Sequence, residues 1–196
     1  MRASAHVAWR VAAAVAFAAT AALAVTLTRA VPVRTALTSV RNTAHSGLAC
    51  QTSGLRIWVN DWGDVMPRIT SAALEFTNTS DAVCTITGYP LVAASRADGA
   101  QVGNAASRDT SVRVRRIVLA PGATAHAVLA EDVSGFSGGS CKPVTAAGLR
   151  VVPPGQSIAR YVRHTVVACS ATGPREPVFL NVRAVQAGVG DTARPW

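Results

Sequence analysis

Residues 74–90 read LEFTNTSDAVCTITGYP, and this stretch decides the fold. An alternating apolar run ends in the polar residues NTSD, a short cysteine-bearing run follows, and a Gly-Tyr-Pro sequence stops it. Alternation with a period of two is typical of a half-buried strand, and turn residues between two such runs indicate a hairpin. We therefore predict strands over 71–78 and 84–87, joined as a hairpin around which the other strands are arranged.

The chain beyond residue 50 repeats this pattern of short extended runs and turn residues, roughly every ten residues. Asp-Gly at 98–99, between two such runs, predicts a tight hairpin. Further extended runs cover 54–60, 91–95, 100–102, 112–119 with a bulge at Arg116, 123–130, 149–152, 158–169 and 178–185. About eight or nine short strands without a helix predict an all-β fold, an immunoglobulin-like antiparallel β-sandwich. A small closed barrel is the alternative.

The amino-terminal segment has the pattern of an export signal. Arg2 and Arg10 flank its start, residues 11–27 carry no charge, and small residues follow. A spanning helix needs about 20 apolar residues, so residues 1–30 predict either a cleaved signal peptide or an uncleaved signal-anchor helix. Either outcome predicts an extracytoplasmic location, secreted or anchored to the outer face of the cytoplasmic membrane.

The predicted domain organisation follows from composition. Residues 31–49 have no sustained apolar period and predict a flexible linker. The β-sandwich domain is predicted over 50–187, and residues 188–196 are predicted to form a frayed tail.

Four cysteines, all beyond the leader, predict two disulfides in an exported chain. Four cysteines can pair in three ways, and we favour the sequential pairing of Cys50 with Cys84 and of Cys141 with Cys169. Each bridge would then close a loop of about thirty residues, worth about 3–4 kcal/mol in the chain-entropy model. No two cysteines have the spacing of a zinc knuckle, so no metal or other cofactor is predicted.

The formal charge is +9, and removal of residues 1–30 takes away Arg2, Arg10 and Arg29 and no acidic residue, which leaves +6. Outside a cell, a basic domain meets anionic glycans and lipid head groups before nucleic acid. The predicted partner is therefore an anionic cell-envelope glycan or lipid, or an extracellular protein. No nucleic acid is expected, and the membrane is contacted through the amino-terminal segment if that segment stays uncleaved.

An ordered set of short motifs runs along the predicted domain. It consists of Cys50, LEFTN at 74–78 followed by Cys84, GYP at 88–90, DG at 98–99, LAPG at 119–122 followed by Ala125, Cys141, residues 149–154 and Cys169. This set resembles a family found mostly in secreted actinobacterial proteins, domain of unknown function 4232. The resemblance covers residues 50–185 and implies an exported β-sandwich, often a lipoprotein or anchored module, without an agreed activity. It supplies no catalytic residue.

Two groups of residues form the candidate binding surface. Trp58 alternates with apolar neighbours, so it shares a strand face with Arg56 rather than with Leu55, and Trp62 follows in a turn. An exposed tryptophan beside polar groups can stack on a sugar or anchor a protein partner. The second group is a basic cluster formed by Arg113, Arg115 and Arg116.

Catalytic and metal chemistry find weak support in the sequence. Ser137 lies in a G-x-S-x-G match, but Ser-Cys-Lys-Pro follows where a nucleophile elbow needs a helix. The histidines at 45, 126 and 164 lack metal-ligand spacing, and the strand histidines are predicted to point outward. Asp61 and Asp64 are too few for a calcium cage and predict a turn.

These observations predict an exported, non-enzymatic binding module. A structural spacer or subunit of an envelope complex is the alternative, and a serine hydrolase using Ser137 is a remote one.

Overall fold

The computed structural model describes residues 47–61, 65–134, 136 and 141–190. The predicted leader and most of the predicted linker lie outside these residues. Among the described residues, no helix is long and apolar enough to cross a membrane.

A short 3₁₀ turn, Thr52–Gly54, precedes thirteen strands in the described part of the chain. The strands are β1 Leu55–Asn60, β2 Val65–Met66, β3 Ile69–Asn78, β4 Cys84–Thr87, β5 Leu91–Ser95, β6 Gln101–Val102, β7 Ser107–Asp109, β8 Arg116–Leu119, β9 Thr124–Asp132, β10 Pro143–Val152, β11 Arg160–Cys169, β12 Leu180–Arg183 and β13 Gln186–Ala187.

These strands form three sheets. The seven-stranded sheet has the order β1-β3-β9-β12-β7, with β2 beside β3 and β13 beside β9. The four-stranded sheet has the order β11-β10-β5-β6, and β4 pairs with β8 in a two-stranded sheet. All the pairings between named strands are antiparallel except that of β7 with β12. The predicted all-β, sandwich-type fold is confirmed.

Alternation along the strands builds the core as predicted. On β3, Leu74 and Phe76 are fully buried, and on β9 Ala127 and Leu129 are buried against them. The four-stranded sheet contributes a second apolar layer, and the core cluster therefore spans these two sheets. It includes Leu55, Leu74, Phe76, Ala125, Ala127, Leu129, Val92, Leu149, Val151, Val162, Val166, Phe179 and Leu180. Because period-two burial needs no knowledge of the partner strand, the sequence alone predicts the inward positions on β1, β3 and β9.

The predicted hairpin between residues 71–78 and 84–87 is wrong, although both strands form. β3 pairs with β1, β2 and β9, whereas β4 pairs with β8. The buried side chain of Asn78 turns the chain away: its Nδ2 donates to the carbonyls of Ala82 (2.8 Å) and Leu119 (3.0 Å), and its Oδ1 accepts from the Ser80 amide (3.0 Å). The NTSD segment is thus a corner between sheets.

The strand predicted over residues 112–115, with its bulge at Arg116, is also wrong. The chain between β7 and β8 is irregular, and β8 begins only at Arg116. Asp109 shapes this loop, because it accepts from the Ser111 amide (2.9 Å) and from Arg183 Nε (2.7 Å). Burial opposes ionisation of Asp109, but these hydrogen bonds outweigh it and lower its pKa to about 2.

Two local predictions are confirmed. The Asp-Gly hairpin joins β5 to β6, with the Ala100 amide bonded to Asp98 Oδ1 (2.9 Å) and Gly99 at a φ of 87°. A left-handed conformation of this kind favours glycine. The disulfides have the sequential pairing, with a sequence separation of 34 for Cys50–Cys84 and of 28 for Cys141–Cys169.

Candidate functional site

Trp58 lies on the outer face of the seven-stranded sheet, as predicted, and is partly buried. Its indole N–H donates to Thr77 Oγ1 (3.3 Å), which is itself bonded to Thr124 Oγ1 (2.9 Å). The guanidinium of Arg56 lies 5.7 Å from the centre of the indole ring. The indole is therefore held by its own protein at both its polar edge and one face.

The other predicted surface residues lie elsewhere. Trp62 is outside the described residues. Arg113 and Arg115 are exposed in the loop before β8, and Arg116 opens β8 with its Nη2 at 3.5 Å from the Gly47 carbonyl. Trp58 belongs to the seven-stranded sheet and Arg116 to the two-stranded sheet. Within the described ranges, no hydrogen bond or strand pairing joins the tryptophan to the arginines.

His164 bridges the two sheets, and the outward orientation predicted for it is wrong. Its side chain, on β11, is only 14% exposed. Its Nε2 lies 3.0 Å from Glu131 Oε1 on β9, and its Nδ1 lies 3.1 Å from Asp61 Oδ1 after β1. A neutral imidazole has one N–H, so two ionised carboxylates favour the doubly protonated ring. The hydrogen bond to Glu131 raises the pKa of His164 against the opposing effect of burial.

Metal binding gains no support from these groups. In the part of the chain that the structure describes, no three His, Cys, Asp or Glu side chains converge in a way that could hold a metal ion. Ser137, the remote candidate nucleophile, lies outside the described residues.

Glu75 is a fully buried carboxyl on the outer side of β3. Its Oε1 accepts the Gly190 amide (2.8 Å). Burial raises the pKa of Glu75, although the bond from Gly190, the charge of His126 on β9 and a hydrogen bond from the Asn60 side chain oppose this shift.

The carboxy-terminal segment that reaches Glu75 is fastened to the sheet. β13 pairs with β9, the Gly188 amide bonds to Thr124 O (3.0 Å), and His126 Nδ1 lies 2.9 Å from Gly188 O. The first residues of the predicted frayed tail are thus held in place, and residues 191–196 lie outside the described part. Sequence reasoning missed this contact because Glu75 and Gly190 are far apart along the chain.

The charged residues on the strands of the four-stranded sheet are all positive. Its strands contain no aspartate or glutamate, and its charged residues are all basic: Arg150 on β10, Arg160 and Arg163 on β11, with Lys142 directly before β10. All four side chains are exposed, and none forms an ion pair within the described residues. By register, Arg150 and Arg163 lie on the outer side of this sheet, opposite the buried Leu149 and Val162, and we call this side the basic face. The sequence alone did not reveal it, because the register of β10 against β11, which brings Arg150 and Arg163 together, leaves no signal along the chain.

Comparison with known proteins gives one match and one negative result. Residues 50–186 match the model of a family described as "Domain of unknown function (DUF4232)". No curated protein matches the chain.

Proposed function

The chain belongs to the family of domain of unknown function 4232, whose description names no activity, and we propose that it is an exported, non-enzymatic module that binds an anionic polymer of the cell envelope through its basic face. From its resemblance to this family, we expect the chain to be a secreted actinobacterial protein. The module is displayed outside the cytoplasmic membrane, either released or anchored by residues 1–30.

The observation that carries the binding proposal is the separation of charge. Acidic side chains occur on the seven-stranded sheet, where Asp109 pairs with Arg183 and Glu131 with His164. The strands of the four-stranded sheet carry cations alone. A face of one sign attracts polymers of the opposite sign over a distance of about 8–10 Å at physiological salt. Uncompensated cations therefore support an anionic partner at this face.

Two features support export. The charge-free segment 11–27 behind basic residues is typical of an export signal. Both disulfides are formed, and disulfides persist in oxidising compartments outside the cytoplasm. Cell fractionation and amino-terminal sequencing of the native protein test this part, and a soluble cytoplasmic protein with four free thiols would contradict it.

Binding can be tested with two charge-matched double variants of the full chain. Arg150→Gln with Arg163→Gln removes two charges from the basic face, whereas Arg113→Gln with Arg115→Gln removes two from the β7–β8 loop. We expect the first pair to lower retention on isolated cell envelopes about tenfold or more at low salt, and the second to change it little.

The outcomes separate the surfaces. Equal losses in both double variants would show that net charge alone governs retention. A loss confined to the loop variant, or to Trp58→Ala, would move the site to the surface predicted from the sequence. No retention of the unmodified protein would favour the structural-spacer alternative.

A further inference from the structure

Tyr161 occupies an unusual position on the basic face. It lies on β11, with its ring across Gly148 of β10: a Cβ on that glycine would lie 2.5 Å from Cε2 and Cζ of the ring. The Tyr161 hydroxyl donates to the Ala147 carbonyl (2.8 Å). Tyr161 nevertheless remains 43% exposed. The ring thus fills the side-chain space of Gly148 on one side and faces solvent on the other.

A local irregularity in the sheet makes this arrangement possible. The register of β10 and β11 shifts between Ala146 and Gly148, and Ala147 has no partner in the pairing. Its carbonyl can therefore accept the tyrosine hydroxyl. Glycine inside a strand usually marks a close approach of another group, and here that group is the aromatic ring. The ring is fixed at its edge by a hydrogen bond and below by the backbone.

The fixed ring lies between two arginines. Arg150 is the direct cross-strand partner of Tyr161, and Arg163 is the partner of Gly148, over which the ring lies. Directly opposite residues in an antiparallel pair have Cβ atoms about 4.5–5.5 Å apart. Both arginines are exposed and, in the described residues, form no ion pair. The strand register therefore places two exposed arginines next to the exposed aromatic ring.

We propose that Tyr161, Arg150 and Arg163 form a binding site for an acidic sugar, a hexuronate unit of an anionic polysaccharide. The sugar stacks its C–H face on the exposed side of the tyrosine ring, and its carboxylate accepts hydrogen bonds from a guanidinium. This inference rests on the proposed function and narrows it to one class of polymer.

Tyrosine and arginine side chains are better suited to bind a uronate sugar than to bind a polyanion without sugar rings. Guanidinium groups bind carboxylates with two parallel hydrogen bonds, which fixes orientation as well as charge. An aromatic ring adds apolar contact area that a phosphate chain cannot use. Because Tyr161 is already immobilised by Gly148 and Ala147, little conformational entropy is lost when a sugar stacks on it.

The test compares polymers and variants by equilibrium binding to the full chain. The probes are polygalacturonate, polyphosphate at equal charge concentration, neutral dextran and phosphatidylglycerol vesicles. The variants are Tyr161→Phe, Tyr161→Leu and Arg163→Gln, with Arg115→Gln as the charge control. Thermal unfolding and a non-reducing disulfide map show whether each variant is folded.

We expect polygalacturonate to bind and dextran not to bind. Tyr161→Leu should weaken polygalacturonate binding about five- to tenfold, and Tyr161→Phe, which keeps the ring, by less than about threefold. Arg163→Gln should weaken it as well, and Arg115→Gln should not. If Tyr161→Leu does not fold, Gly148→Ala is measured in its place, because its Cβ would displace the tyrosine ring. We then expect the same weakening of polygalacturonate binding, about five- to tenfold.

The contrary outcomes are distinct. Equal weakening of polyphosphate and polygalacturonate by Tyr161→Leu, or no weakening of either, would overturn the sugar site. Binding of polyphosphate alone, sensitive to Arg150 and Arg163, would overturn it and leave the proposed function standing. Preferential binding to the vesicles would replace it with a lipid surface. No binding to any anionic probe or to cell envelopes would contradict both proposals.

Discussion

His164 is the residue whose ionisation links the two sheets. Its ring lies between Glu131 on β9 and Asp61 after β1, while His164 itself belongs to β11. The Asp61 side chain is 75% exposed and the Glu131 side chain 16%, so solvent screens the first contact more than the second. Charge on the imidazole therefore stabilises the sandwich mainly through Glu131.

This geometry predicts a pH-dependent free energy of unfolding. The pKa of His164 is raised in the folded state from its ordinary value of 6.5, so the stabilisation is complete below pH 6.5 and is lost as pH rises through the folded pKa. We expect His164→Gln to destabilise the protein by about 1–2 kcal/mol at pH 5.5 and by less at pH 8.5. Urea unfolding at both pH values measures this.

Glu131→Gln serves as the partner control, because it removes the main cause of the raised pKa while keeping the imidazole. It should weaken the same pH dependence. A loss of stability in His164→Gln that is equal at pH 5.5 and 8.5 would show that the histidine acts by packing alone.

Glu75 makes the opposite prediction. Burial raises the pKa of its carboxyl, so the folded state prefers the neutral acid. Stability from this group is therefore greatest below the ordinary pKa of 4.5 and falls as pH rises through the folded value. Glu75→Gln keeps an acceptor for the Gly190 amide without the charge. We expect it to stabilise the protein at pH 7 by an amount on the order of 1 kcal/mol, and much less at pH 4, in urea titrations.

A neutral or destabilising effect of Glu75→Gln at pH 7 would show that the ionised carboxylate is well compensated in the folded protein. Ser71→Ala is a useful comparison, since its buried hydroxyl on the same strand has no hydrogen-bond partner among the described atoms.

At the scale of the elements, the sequence predicts strands well and their partners poorly. Alternation in β1, β3 and β9 identifies both the strands and their inward residues, because it reflects burial on one face. Pairing between strands distant in sequence leaves no such local signal. For that reason the sequence predicts a hairpin where the structure has a corner at Asn78.

The candidate site shows the same limit. Arg150 and Arg163 each look like an ordinary exposed strand residue, and the sequence does not show that Tyr161 covers Gly148. Only the register of β10 and β11 brings these side chains together. Trp58 and its strand face were predictable, but its hydrogen bond to Thr77 was not.

The corner itself can be tested through Asn78. Its amide makes hydrogen bonds to Ala82, Leu119 and Ser80 while fully buried. We expect Asn78→Ala to lower the free energy of unfolding by about 2–4 kcal/mol, because it removes two hydrogen bonds that the buried amide donates to carbonyls and the acceptor of the Ser80 amide. Urea unfolding should show this loss.

Asn78→Asp distinguishes the donor role of the Asn78 amide nitrogen from the acceptor role of its oxygen. It keeps the oxygen that accepts from Ser80 but loses the donor to both carbonyls, so it should also destabilise. The exposed neighbour Thr79, whose hydroxyl bonds to the Gly54 carbonyl (3.1 Å), provides the control, and Thr79→Ala should cost less than about 1 kcal/mol. Equal effects of Asn78→Ala and Thr79→Ala would exclude the amide as the main constraint on the corner.

At the scale of the whole molecule, the two disulfides link different kinds of elements: one lies beside two paired strands, and the other joins the entering segment to a small sheet. Cys141–Cys169 joins the ends of β10 and β11, which already pair along their length, with Pro143 opposite Cys169. Cys50–Cys84 instead ties the segment before β1 to β4, which belongs to the small two-stranded sheet. Besides the bridge of Ala49 to Thr85, the described hydrogen bonds between that sheet and the entering chain come from two residues of the sheet. Thr85 bonds to Gly47, Leu48 and Cys50, and Arg116 bonds to Gly47.

The chain-entropy model gives nearly equal stabilisation for the two loops of 34 and 28 residues, about 3–4 kcal/mol each. A difference in stability between variants that lack one or the other disulfide must then come from the other contacts that restrain the linked elements. We expect the variant Cys50→Ser with Cys84→Ser to lose more thermal stability than Cys141→Ser with Cys169→Ser, because β10 and β11 stay paired without their bridge. Thermal unfolding of both double variants, purified under oxidising conditions, measures the difference. A larger loss in the Cys141 and Cys169 variant would mean that the loop before β10, rather than the two-stranded sheet, depends most on its covalent link.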